Sequence, residues 1–136
     1  MTALERPLQG DVLRFRLGKE HLMNHDQEIL ERSGRSARTL VKNGPLRVTL
    51  ITLAPGGDIA EHRAEGPITV HILHGTIEFR VGGETHALSQ AELLALGGGV
   101  PHSVRSDTGG AFLLTVVQSN RSQGPDGPTE AGSDHD

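Results

Sequence analysis

Cysteine is absent from the 136 residues, which excludes a disulfide framework, a thiolate nucleophile and any cysteine-ligated zinc or iron–sulfur site. A metal, if one is used, must be held by His and carboxylates. Aromatic residues make up only 2%, with no Trp and no Tyr, so Leu, Val and Ile have to fill the interior. No apolar run approaches the ~20 residues that span a bilayer, and the opening MTALERPLQG lacks the apolar stretch of a secretion signal. The expected address is cytoplasmic, with no membrane partner. Basic charge is not concentrated either. Residues 1–50 hold nine basic and six acidic groups, 51–118 three and seven, and 119–136 one and four, which sums to −4. Nothing in that distribution resembles a nucleic-acid-binding face.

What the chain does have is punctuation: 18 Gly and 7 Pro in one domain's length favour many short strands over long helices. Val12–Leu17 alternates apolar and basic and reads as a strand with Leu13, Phe15 and Leu17 on one face. Glu20–Glu31 is the one segment with helical spacing, a short covering helix. From Ser36 onward the signals are β. Strands are expected over Ala37–Val41, Leu46–Leu53, Ile68–His74, Thr76–Val81, Glu84–Leu88, Glu92–Leu96, Val100–Arg105 and Ala111–Gln118, with glycine-rich turns between them. Within the Gly82-Gly83 hairpin, Ile77, Phe79 and Val81 should face the core, while periodicity leaves His86 either at a rim or buried. The expected organisation is an N-terminal strand and helix over residues 1–35, an antiparallel barrel over 36–118 and a disordered acidic tail over 119–136.

Eight histidines are the main chemical signal. His21 and His25 lie four apart on the expected helix, a spacing able to bind metal but more often simply solvated. His74 precedes a turn glycine and reads as solvent-exposed, and His135 falls in the tail. The Gly97-Gly98-Gly99 run is followed by no Lys-Ser/Thr and opens no helix, so it is a rim loop whose flexibility could admit a ligand, not a phosphate loop. Ser103 adjoins His102 on a strand and therefore points to the other face, which rules out a base–nucleophile pair.

Pro55–Gly75 and Gly97–Arg105 together resemble the cupin superfamily, across residues 46–118. That family's first motif runs Gly, five residues, His-x-His, three or four residues, Glu, six residues, Gly, and its second motif ends in a strand bearing another His. The resemblance implies an all-β fold, a double-stranded β-helix or antiparallel jelly-roll barrel, commonly dimeric. It places His62 and His102 at two metal-ligand positions, but Ala64 stands at the second His and Ile68 at the Glu. Gln90-Ala91-Glu92 replaces the usual Pro-Gly-Asp turn. Methyl and sec-butyl groups have no lone pair to donate, so the site is partly degenerate, holding no metal or one divalent Fe, Mn, Ni or Zn weakly. A nonstandard third ligand would be Glu65, or His71 if its strand is bulged; on a regular strand His71 faces away from Ile68, Val70 and Ile72.

Three functions follow from that partial match. One is a barrel whose cavity binds a small organic ligand among His62, His102, Ala64 and Ile68. A second is a metal-dependent enzyme, such as a dioxygenase or isomerase, built on His62, His102 and Glu65 or His71. The third is a non-catalytic dimeric sensor or interaction module that self-associates through the face bearing Thr69 and His71. The first is preferred, because apolar replacements make a drier cavity than a Lewis-acid centre wants.

Overall fold

A computed structural model describes residues 7–118 of the chain, and the expected acidic tail lies outside them. Among the described residues there are two α-helices, α1 (Leu17–Asn24) and α2 (Gln27–Ser33), followed by nine strands. These are β1 (Arg35–Asn43), β2 (Leu46–Leu53), β3 (Gly57–His62), β4 (Ile68–Gly75), β5 (Ile77–Val81), β6 (Glu84–Leu88), β7 (Leu93–Leu96), β8 (His102–Ser106) and β9 (Gly110–Val117). They form two antiparallel sheets, ordered β1-β2-β9-β4-β7 and β3-β8-β5-β6. The all-β jelly-roll expectation therefore holds.

Period-two alternation explains the packing. Ile68, Val70 and Ile72 of β4, Ile77 and Phe79 of β5, Val104 of β8 and Phe112 of β9 are all at most 4% exposed and form one apolar cluster between the sheets. The ring of Phe79 meets that of Phe112 edge to face at 5.5 Å. Leu40, Leu50 and Ala111 make a second cluster, against which Phe15 and Leu17 pack. At the β5–β6 hairpin, Gly82 and Gly83 both take positive φ, +58° and +90°, as a two-residue turn of this hand requires.

The N-terminal expectations need correction. Residues 12–16 pair with no strand, and α1 begins at Leu17. Their alternation is nonetheless real, since Leu13 and Phe15 are half-buried while Val12, Arg14 and Arg16 are exposed. Docking of alternate side chains, without ladder bonds, is enough to impose it. The single helix over Glu20–Glu31 is two. Asp26 caps α2 by accepting from the Ile29 N–H at 3.2 Å, and a local cap of this kind competes successfully with helix propagation. The break also frees Asn24, 4% exposed, to reach into the sheet. Its amide donates to the carbonyl of Ser36 and to Thr52 Oγ1, and its Oδ1 accepts from Ser36 Oγ. Arg38 donates to Glu20 at 2.6 Å on the same helix. No helix among the described residues is long and apolar enough to cross a membrane.

Candidate functional site: a histidine pair at one end of the sandwich

Gly57–His62 was not anticipated as a strand, yet it supplies half of the site. β3 pairs with β8 in one register at Ile59↔Val104 and in another at His62↔His102, so β3 carries a bulge between Ile59 and His62. Strict alternation from inward-facing Ile59 would turn His62 outward. The extra residue restores it to the inner face, directly across from His102. The two rings lie 4.4 Å apart at 60°.

Both imidazoles are anchored in the same way. His62 Nδ1–H donates to the carbonyl of Ala60 and His102 Nδ1–H to that of Val100, each at 2.9 Å. A carbonyl can only accept, so Nδ1 must carry the proton, and in the neutral rings each Nε2 keeps its lone pair. His62 is exposed at the mouth, whereas His102 is 4% exposed and stacks on Phe79 at 6.1 Å. Burial is the main influence lowering the His102 pKa from its ordinary 6.5, and His62 adds to it. The Val100 carbonyl and Glu61 work in the opposite direction.

Two loops hold this arrangement. Gly99 N–H donates to the Ala64 carbonyl at 2.8 Å, joining the segment before β8 to the one after β3. A Cβ on Gly98 would sit 2.8 Å from the Glu65 carbonyl oxygen, and one on Gly66 would overlap the Val117 carbonyl. Within the glycine run, Gly98 is thus explained by close backbone approach and Gly99 by its positive φ of +78°.

The remaining expected site residues divide clearly. Ala64 packs against the inter-sheet cluster and Ile68, 4% exposed, belongs to it, so both apolar positions line the interior beyond the histidines. Glu65 is exposed. His71 is half-buried between Thr69 and Leu73 on the outward face of β4, because Val70 and Ile72 occupy the inner one. Neither completes a site: among the described residues no three His, Cys, Asp or Glu side chains are grouped to hold a metal. His86 lies cross-strand from Phe79 on the edge strand β6, half-exposed and 3.7 Å from Glu84. Sequence reading missed a second grouping. His74 approaches His21, with ring centres 5.3 Å apart, although 53 residues separate them and no motif links them.

Two facing antiparallel sheets with an inward histidine pair on adjacent strands define a jelly-roll of the double-stranded β-helix type. The chain belongs to the cupin domain family, whose sequence pattern matches residues 49–118. Solved structures agree on the fold. A conserved protein of unknown function from Streptococcus pyogenes is 28% identical, with a TM-score of 0.61 over 65% of this chain and 78% of that one. An RmlC-like cupin from Shewanella frigidimarina is 18% identical, with a TM-score of 0.61 over 68% and 83%. Salicylate 1,2-dioxygenase from Pseudoaminobacter salicylatoxidans, solved with gentisate adducts, is 18% identical with a TM-score of 0.71, covering 85% of this chain but only 36% of the enzyme. No curated protein matches the chain in sequence.

Proposed function

We propose that the protein binds a small organic molecule at the His62–His102 mouth, with an O–H or N–H of the ligand donating to one or both Nε2 atoms. The observation that supports this most is the matched anchoring of the two Nδ1–H groups, which leaves two acceptors side by side over an apolar floor. Beneath the pair the interior is apolar: Phe79 and Ile68 are buried in the inter-sheet cluster and the half-buried Ala64 packs against it. Because burial biases His102 toward the neutral form, its Nε2 serves as a hydrogen-bond acceptor for the ligand.

The family resemblance also raises a divalent metal, and the donor set decides against one held tightly. His62 and His102, with rings 4.4 Å apart and Nδ1 of each bound to a carbonyl, are the residues that would hold an ion through Nε2. Among the described residues, however, no third His, Cys, Asp or Glu is grouped with these two nitrogens. Ala64 and Ile68 donate nothing, and no carboxylate joins them to balance the cation's charge. A weakly held ion remains compatible with the pair, but no chemical step is assigned to it.

Native mass spectrometry of untagged protein, followed by extraction and small-molecule analysis, tests the reading. A co-purifying organic species is expected, lost in His62→Ala, whose exposed site tolerates truncation. A species retained in full by His62→Ala, or no species binding at the pair when metabolite mixtures are offered, would contradict it.

A further inference from the structure

A cavity lies at the other end of the strands, and none of His62, Ala64, Ile68 and His102 lines it. It has a volume of about 830 Å³ and is formed between the helices and the loops that precede β3 and β9. That is within the range of about 300–1,000 Å³ typical of small-molecule sites. His21 from α1, His25 at its C-cap, Glu31 from α2, Asp58 from β3 and His74 from β4 all line it. Ring centres are 5.3 Å apart for His21–His74 and 6.4 Å for His21–His25. His21 Nδ1 is buried with no hydrogen-bond partner.

The chemistry of the lining selects the occupant. Among the described residues, no Lys or Arg lines the cavity. The amide N–H groups of Gly34, Ala54, Gly56, Gly57 and Gly109 already donate within the protein, as does the side-chain amide of Gln27 to Glu31. An anion would therefore find two carboxylates and few free donors. His21 is biased toward its neutral form. Burial first, then His74 and His25, lower the His21 pKa from 6.5. The cavity is thus anionic and rich in acceptors. A single metal ion is disfavoured as well, since no three of these side chains are grouped to hold one, whereas a ligand several atoms long can reach them in turn.

We propose that this cavity binds a small organic cation, an amine, diamine or guanidine. One nitrogen would lie among His21, His25 and His74, with Glu31 or Asp58 paired to the positive charge. The site is independent of the ligand proposed at the histidine pair, and the two can fail separately.

Calorimetric titration of the full chain at pH 7.5 tests it, using a panel of ethylamine, 1,4-diaminobutane and agmatine, with succinate as the anionic counterpart of the diamine. Saturable binding of at least one cation below about 10 mM is expected, with none for succinate. His74→Ala and Glu31→Gln, both at exposed positions that the fold tolerates, should each weaken it about tenfold, while His62→Ala should leave it unchanged. Affinity should also fall once pH drops far enough below 6.5 to protonate His21, whose charge would repel the ligand beside Glu31 and Asp58. Failure of the whole panel to saturate, equal binding of succinate, or indifference to both His74→Ala and Glu31→Gln would overturn the proposal.

Discussion

Restoring ligands at the two apolar positions, Ala64→His with Ile68→Glu, should turn a weak two-nitrogen site into a metal-dependent fold. Ile68 is 4% exposed inside the inter-sheet cluster, so replacing it with a carboxyl group removes its packing and buries an unpaired polar group. The metal-free variant should lose roughly 3–5 kcal/mol, a large part of the 5–15 kcal/mol typical of a domain. At about 4–8 °C per kcal/mol, its Tm falls by on the order of 15 °C or more. Added Ni²⁺, Mn²⁺ or Zn²⁺ reverses this. A cation at a hundredfold excess over its Kd contributes about 2.7 kcal/mol, or about 10–20 °C. Differential scanning fluorimetry with and without about 1 mM metal measures the shift, which should be small for the natural sequence. Should the double variant not fold, Ala64→His alone keeps Ile68 and adds a third nitrogen, with a smaller shift of the same sign. A variant no more metal-responsive than the natural protein would show that positions 64 and 68 do not face the histidine pair, and would refute the reasoning.

Three further outcomes are expected. Asn24→Ala removes several buried hydrogen bonds between α1 and the sheet and strands Ser36 Oγ, so urea unfolding should show a loss of about 2–4 kcal/mol; a loss below about 1 kcal/mol would mean that α1 is not pinned there. Ala91 sits at φ +73°, in the turn where the family places Gly, so Ala91→Gly should raise stability by about 0.5–1 kcal/mol despite its greater unfolded-state freedom, and any loss would contradict the strain. Because His21 and His102 both have lowered pKa values in the fold, the unfolded chain binds more protons once pH drops below about 6.5. Their contribution is complete above that pH and declines as pH falls toward the folded values, so Tm measured from pH 7.5 to 5 should decrease, less steeply in His102→Gln.

Strand positions were legible because glycine punctuation and alternation are local signals. β2 and β6 fall on their expected bounds, and Ile77 and Phe79 face the core as their spacing indicated. The pairing of His62 with His102 was accessible only through family resemblance. Periodicity alone would have sent His62 outward from Ile59, since the bulge that turns it inward is a matter of register between two strands. Val12–Leu17 misled in the opposite way: one-sided burial produces alternation whether or not the backbone is paired. The His21–His74 approach left no trace in the sequence, because it depends on how α1 docks through Asn24 and Glu20 onto the sheet. Gly98 looked like freedom and serves as close packing, a distinction that only the neighbouring backbone reveals.

Elemental analysis of untagged protein, purified without chelator and then dialysed, tests the central claim most directly. Two imidazoles with no grouped third ligand should retain well under one equivalent of Fe, Mn, Ni or Zn. A stoichiometric ion that survives dialysis against chelator and disappears in His62→Ala would contradict the account.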